Sequence, residues 1–383
     1  MSAIPSLKPK EIIKAYKIRL FPNATQSQKI ENTFSHARFV YNYILDTNMR
    51  RLDLDEYKLN YNRESAVLTL LKQKHEWLQE SDKFSLQNAL KDQDRAFKNW
   101  FEKRAKKPKF HSKKDDYQSY RTNVTNGNIS INGRYIKLPK LKWIKFAKSQ
   151  EISGKIQNVT IARSGGKYYA SIGVKTVIEP KPMPKDKRKL GIDLGLKSLA
   201  CTKNDMGKIQ DIKNPKWLEK SLKNLKRKQK QLSRRQHSRY KGDTTQKSRG
   251  YLKLQKTLNK VHKRVANQRK DFLHKLSSQI ISENQAIGIE DLAVGNLMKN
   301  HKLARHIAQS GWRMFRMFLT YKSEWNNREL FIHDRFYPSS KLCRCGIKNK
   351  ELQLSDRLWI CKACGAVNNR DELAAQNLIP VEH

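Results

Sequence analysis

The segment Lys189-Leu190-Gly191-Ile192-Asp193-Leu194-Gly195 constrains this chain more than any other. Its apolar residues predict a buried strand, yet the strand carries an acid. Successive strand residues face opposite sides, so Leu190, Ile192 and Leu194 share one face and Gly191, Asp193 and Gly195 the other. An ionised carboxylate inside a protein is costly unless cations or hydrogen bonds meet it. The glycines leave its face uncrowded, which predicts room for a metal ion and a phosphate. An Asp that merely caps a turn at the strand end is the plainer alternative. A second apolar strand, Ala286-Ile287-Gly288-Ile289-Glu290, also ends in an acid. Its neighbour Asp291 competes for the role, but adjacent strand residues alternate, so Asp291 is expected to face away or to cap the next turn. A third acid, Asp371, precedes Glu372-Leu373-Ala374-Ala375 at a predicted helix start, where acids are common simply as caps.

Together the three say more than each alone. Two strand acids and one helix-start acid, spread over almost 180 residues, resemble an RNase H-like fold, which brings such carboxylates to one point of the sheet. Clustered acids repel and raise one another's pKa unless cations intervene. Two Mg²⁺ ions about 4 Å apart would resolve this, activate a water and stabilise the leaving oxygen in phosphodiester hydrolysis.

Cysteine placement points to a second metal. Cys343-Arg344-Cys345 and Cys361-Lys362-Ala363-Cys364 form two pairs near the carboxyl terminus, with residues 352–359 between them reading as a β ribbon. Four thiolates at this separation suit a tetrahedral structural Zn²⁺. The first pair is one residue short of Cys-x-x-Cys. Four reduced core thiols, or a site completed by another ligand such as His333, remain alternatives. Cys201, on a predicted strand, reads as a small buried hydrophobe.

Charge identifies the class of partner. The 383 residues carry 80 Lys+Arg against 35 Asp+Glu, a formal net charge of +45. Such a surplus repels itself unless a polyanion neutralises it, and nucleic acid is the obvious one. Residues 216–275 hold twenty-one Lys/Arg and three acids. Leu218, Leu222 and Leu225 share one helical face there, and Leu254, Leu258, Val261 and Val265 another, with Gly242 and Gly250 flanking the break. This basic helical hairpin, with Lys226, Arg227, Lys228, Arg234 and Arg235 at its centre, reads as a nucleic-acid contact rather than a merely solvated face. Apolar residues make up 37%, enough for several small cores. No apolar run has signal-peptide or membrane-span length, so a soluble chain is expected, cytoplasmic in a prokaryotic cell and acting at the nucleoid. Its Lys-rich composition argues against a disulfide framework.

Periodicity organises the remainder. A loose tail of eleven residues leads into a strand over 13–20 with Tyr16, Ile18 and Leu20 on one face, ended by Pro22. Thr25 is expected to cap a helix carrying Ile30, Phe34, Ala37, Tyr41 and Ile44. Further helices are expected over 65–78 and from Ser81 or Ser85, the latter aligning Leu86, Leu90, Phe97 and Phe101. Residues 117–178 read as β-rich and should share a sheet with the first strand. Asn132-Gly133 predicts a type I′ hairpin and Ser164-Gly165-Gly166 a second hairpin. Pro180, Pro182 and Pro184 suggest a linker. Strands are expected at 189–194, 198–203, 208–212, 286–290 and 330–333, with a helix over 304–328 whose Trp312, Phe315 and Leu319 belong to the core.

Several motifs then occur in order: Gly191-Ile192-Asp193-Leu194-Gly195, Gly288-Ile289-Glu290-Asp291-Leu292, Pro338-Ser339-Ser340-Lys341, the cysteine pairs, and Arg370-Asp371 before Ala374-Ala375-Gln376-Asn377. Near the amino terminus stand Tyr16-Lys17-Ile18-Arg19-Leu20-Phe21-Pro22 and Arg38-Phe39-Val40-Tyr41-Asn42. Each is modest; the ordered set resembles TnpB, the transposon-encoded RNA-guided nuclease family related to type V CRISPR effectors, over nearly the whole chain. The resemblance implies a multidomain α+β chain. A wedge-type β-barrel (1–21 and 106–184) would be interrupted by a helical recognition domain (22–105). An RNase H-like RuvC domain (185–337 and 367–383) would follow, with the basic hairpin (215–275) and a zinc ribbon (338–366) inserted. It implies Asp193, Glu290 and Asp371 as the magnesium-binding acids and Cys343, Cys345, Cys361 and Cys364 as zinc ligands.

It further implies a guide RNA from the transposon end, double-stranded target DNA and a short adjacent DNA motif, with one protein copy per complex. The motif-reading region matches Lys83, Phe84 and Gln87 on the helical segment and Thr122 and Asn123 near the barrel. On a plainer reading Phe84 is core and Lys83 surface. Two residues depart from the family pattern around the third acid: Asn369 stands where Asp is frequent and Leu373 where Asn is frequent. The intact acids imply an RNA-guided DNA endonuclease, against the alternatives of an RNA-guided repressor that only binds DNA or a transposase acting directly on DNA ends.

Overall fold

The computed structural model describes residues 9–54, 61–182, 184, 188–213, 215–235, 248–353 and 355–381. It divides into two compact units, Glu11–Val177 and the residues from Ile178 onward, the latter also taking in Lys10 at the start of the first strand.

The amino-terminal unit opens with β1 (Lys10–Phe21), whose alternation buries Ile12, Tyr16, Ile18 and Leu20. Helix α1 (Ala24–Asp53) follows at once. Its cap is Asn23 rather than Thr25: the Asn23 side chain accepts from the Gln26 N–H while Gln26 reaches back, a reciprocal capping box. Ile30, Phe34, Ala37, Tyr41 and Ile44 are all buried, as their spacing predicts. Helix α2 (Tyr61–Lys74) and helix α3 (Lys83–Phe101) complete the helical part, α3 starting between the two serines expected at its start and capped by Asp82. Leu86, Leu90 and Phe97 are fully buried, whereas Phe101, at the frayed end, is exposed.

Six strands follow: β2 (Gln118–Asn123), β3 (Ser130–Asn132), β4 (Tyr135–Leu138), β5 (Lys142–Phe146), β6 (Lys155–Ser164) and β7 (Lys167–Ile178). With β1 they form one seven-stranded sheet in the order β2-β6-β7-β1-β5-β4-β3. At the β3–β4 turn only Gly133 takes positive φ, the II′ pattern rather than I′. Gly165 and Gly166 both do, which is the I′ pattern at β6–β7. The helices lie on this sheet over one continuous core, with Phe34 of α1 edge-on to Tyr120 of β2 at 5.6 Å. The expected helical and β-rich segments therefore pack as one unit.

The carboxyl-terminal unit begins with β8 (Lys189–Leu194), β9 (Ala200–Asn204) and β10 (Ile209–Ile212). Helices α4 (Lys216–Arg234) and α5 (Arg249–Glu283) lead to β11 (Ala286–Glu290). Short α6 (Val294–Leu297) precedes α7 (Ala304–Ser310) and α8 (Trp312–Asn326). The helix expected over 304–328 is thus two, broken at Gly311 (φ 71°), where an added Cβ would press on Arg269 and Leu273. Then come β12 (Glu329–His333), β13 (Leu358–Ile360), β14 (Val367–Asn369) and α9 (Arg370–Asn377).

The sheet order is β10-β9-β8-β11-β12, antiparallel through β8 and parallel from β8 to β12. This is an RNase H-like arrangement of the RuvC type. One face packs on α5 and α8 through Leu190, Ile192, Ile287 and Ile289 against Leu273, Ile280, Phe315 and Leu319. The other face takes α9. Of the two glycines expected to make room for a metal and a phosphate, Gly195 lines the cleft with Asp193, but Gly191 serves another purpose. Gly191 and Gly288 are register partners on neighbouring strands. A Cβ on Gly191 would collide with the carbonyl of Ala375, and one on Gly288 with that of Leu378. The glycines flatten the sheet so that the backbone at the end of α9 can lie on it.

Candidate active site and zinc ribbon

That docking assembles the site. Asp193 stands two residues beyond Gly191, and Glu290 two beyond Gly288, so period-two geometry puts both acids on the face that carries α9. The helix ends over the glycines and carries Asp371 in its first turn, beside the two strand acids. All three line one cleft of about 510 Å³. The Asp193 carboxyl is pushed well above the usual range, first by burial, then by the charges of Glu290 and Asp371. Two side chains that sequence reasoning missed, Asp211 of β10 and Glu372 of α9, also line the cleft.

Asp371 is not the helix cap. Asn369 fills that role, its side chain accepting from the N–H groups of Asp371 and Glu372. This frees the Asp371 carboxylate, both oxygens of which accept from Arg357 Nη1, at 3.1 and 3.2 Å. Leu373, the other departure, is buried in the ribbon core with Leu352 and Trp359. Asp291 faces away as expected. It pairs with Arg316 of α8 and, at 3.1 Å, with Arg335, and hydrogen bonds from Arg316 hold its carboxyl below the usual range.

The ribbon is shifted from the expected stretch, overlapping it only at Leu358 and Trp359: β13 pairs with β14 around the second cysteine pair. Despite the shortened first pair, the four Sγ atoms lie within 4.8 Å of one another, with Cys343–Cys364 and Cys345–Cys361 at 3.6 Å. Zinc at about 2.3 Å from each of four tetrahedral thiolates requires sulfurs about 3.8 Å apart, so the four cysteines suit a structural zinc. Backbone N–H groups of Cys364 and Ala363 pull the Cys361 thiol down to about 6. His333 is engaged elsewhere, its Nε2 3.1 Å from the Leu378 carbonyl oxygen.

On the basic hairpin, Lys226, Arg227, Arg234 and Arg235 are exposed and Lys228 is half-buried. Leu254, Leu258 and Val265 form its apolar seam; Leu218 and the break at Gly242 lie outside what is described. In the amino-terminal unit, Asn88 of α3 donates to the Arg121 carbonyl at 2.9 Å and to the Asn123 side chain at 3.3 Å. Lys83 is exposed and lies 5.2 Å from the half-buried Phe84 ring. Thr122 is only 1% exposed, which removes it from any surface.

Comparison with known proteins decides the family. Three family models match: one described as Probable transposase over residues 171–301, one as Cas12f1-like, TNB domain over 312–378, and one as Helix-turn-helix domain over 12–55. The "Putative RNA-guided DNA endonuclease" of Streptomyces pristinaespiralis is 34% identical over 96% of this chain and 89% of its own. The chain belongs to the TnpB family. "Putative RNA-guided DNA endonuclease InsQ" of Escherichia coli K12 is 29% identical, covering 97% of this chain and 92% of its own. The protein chain in a cryo-EM structure of the Cas12f1-sgRNA-target DNA complex shares the fold, with a TM-score of 0.60 at 12% identity over 96% of this chain and 98% of that one. The TNB match takes in all four cysteines and Asp371. Over the Helix-turn-helix match this TnpB-family chain has β1 and the single helix α1. No helix among the described residues is long and apolar enough to cross a membrane.

Proposed function

We propose that this TnpB-family protein is an RNA-guided DNA endonuclease. In this reading it binds a guide RNA from the transposon end, reads a short DNA motif beside its target and hydrolyses DNA phosphodiesters at Asp193, Glu290 and Asp371. The observation that carries the reading is the convergence of those carboxylates from β8, β11 and α9 within a chain of net charge +45. A set of hard oxygen donors in which burial first, and then mutual repulsion, pushes one carboxyl up suits two Mg²⁺ ions. When bound, such ions supply charge neutralisation and an activated water at neutral pH. The chain's own part is to hold the three carboxylates at fixed positions on a rigid sheet and a docked helix.

Base pairing supplies sequence choice, while the protein grips backbone and shape. Lys226, Arg227, Arg234 and Arg235 on the hairpin are the proposed phosphate contacts, supported by their exposure. Lys83, Gln87 and Asn123 are the proposed motif readers. The wedge, recognition, nuclease and ribbon limits given above are proposed as the functional divisions of the two compact units. The test is cleavage of matched DNA by the purified protein–RNA complex in Mg²⁺. Cleavage should require a matched guide and vanish after complete RNase treatment. Unchanged cutting after RNase would favour a transposase acting on DNA directly, and matched binding without cutting would favour a repressor.

A further inference from the structure

Glu290, which lines the cleft, has a placed partner behind it. Ser339, in the loop after β12, is 4% exposed. Its hydroxyl donates to Glu290 Oε1 at 2.7 Å. The loop is itself held from α9: Asn377, the last residue of that helix, donates through Nδ2 to the carbonyls of Ser339 and Leu342, both at 2.7 Å. Tyr337 closes the circuit, its hydroxyl donating to the Asn377 carbonyl at 3.3 Å. One short helix therefore places Asp371 at its start and, through its end, presses a serine against Glu290.

We infer that Ser339 is the positioning residue for Glu290, and that Asn377 positions Ser339. The inference rests on the proposed metal-dependent reading of the site. A glutamate side chain has three rotatable bonds, and Glu290 stands at the end of its strand, next to the like charge of Asp193. Nothing in the strand backbone fixes which way that carboxylate turns. The serine hydroxyl occupies a lone pair of Oε1 and so fixes the orientation of a carboxylate that lines the cleft. Serine suits this task because it donates without adding charge; a lysine there would compete with the cation. Outer partners of this kind typically set metal affinity within about 10–100-fold.

The test is Mn²⁺ binding to the full chain with its RNA, measured by calorimetry, together with the Mg²⁺ dependence of cleavage. Ser339→Ala should weaken Mn²⁺ binding about tenfold. The Mg²⁺ needed for half-maximal cleavage should rise by a similar factor, with the rate recovering at saturating Mg²⁺ and guided DNA binding unchanged. Ser339→Thr, which keeps the hydroxyl, should restore Mn²⁺ affinity, and Asn377→Ala should weaken it. An unchanged Mn²⁺ affinity in Ser339→Ala would overturn the inference. So would equal defects in the Thr and Ala variants, which would mean that the serine only packs the loop, or a Ser339→Ala protein that no longer binds DNA. The site reading itself is tested separately by Asp193→Ala, which should lose Mn²⁺ binding; if it does not, the reading fails before Ser339 is at issue.

Discussion

Asp193 and Asp371 end at one cleft, but two different regions hold them. Asp193, like Glu290, sits on a parallel pair of strands backed by a large apolar core shared with α5 and α8. Asp371 follows directly from β14, and its local support is a cluster of five buried side chains, two of them cysteines. The first region is held by burial, the second by a short ribbon, four sulfurs and the docking of α9 on two glycines. The trio is therefore as reliable as its weaker support. A nuclease built this way can lose its third acid without losing its sheet.

The comparison can be broken from either side. The largest effect is expected from Gly288→Ala. A methyl there meets the Leu378 carbonyl, a backbone atom that cannot swing aside, so α9 must lift and carry Asp371 away. Overpacking of this kind costs about 1–3 kcal/mol. Loss of one carboxylate's several kcal/mol of charge stabilisation slows cleavage about a thousandfold. Thermal unfolding and cleavage rate check both. Next comes the ribbon. Cys361→Ala, or removal of zinc by a chelator followed by Mg²⁺ addition, should lower cleavage about a hundredfold, the cost of an ångström's misplacement. Guided DNA binding and unfolding of the sheet should change little. Equal loss of binding would show that the ribbon does more than place Asp371.

Asp291 offers the contrast within one strand end. Asp291→Ala leaves Glu290 in place, so cleavage should stay within about twofold, while loss of a partly exposed ion-pair network costs about 1 kcal/mol by denaturant titration. A cleavage defect like that of a Glu290 variant would mean that the two acids have been assigned the wrong way round.

The smallest effect comes from an acid pair outside the cleft. Glu64 of α2 is buried, accepts from Asn48 at 2.6 Å and lies against Asp94 of α3, with Glu64 Oε2 and Asp94 Oδ1 lacking other partners. Burial pushes the Glu64 carboxyl up to about 7, and Asp94 adds to this. The folded form thus binds a proton that the unfolded form releases near 4.5. The pair's stabilisation is complete below that pH and is lost as pH rises through about 7. Glu64→Gln should flatten this dependence, raising stability by about 1 kcal/mol at pH 8 relative to the parent and little at pH 5. Melting curves at the two pH values check it. This pair meets its repulsion with a proton, where the cleft is proposed to use cations.

What the sequence made legible followed local periodicity. Alternation found β1, β8 and β11 and the faces of Asp193 and Asp291. Helical spacing found the buried side of α1. What it missed depends on partners distant in the chain. Gly191 of β8 read as space for a ligand because nothing local reveals that α9, almost 180 residues later, lies on it. Arg357 and Asp211 reach the cleft only through tertiary placement and carry no motif. Ser339 lies in a motif that was visible, but its hydrogen bond was not. The cap at Asn23 was missed because the nearby Thr25 satisfies the same local rule. The break at Gly311 was masked by a helical pattern that continues on both sides.

The central claim is that the three carboxylates cut the DNA that the rest of the chain and its RNA select. One experiment addresses it most directly: binding and cleavage of the same labelled, guide-matched DNA, measured together in Mg²⁺ for the parent complex and for Asp193→Ala. The account predicts that binding is kept within about twofold while cleavage falls about a thousandfold or more. Cleavage that survives the substitution would contradict it.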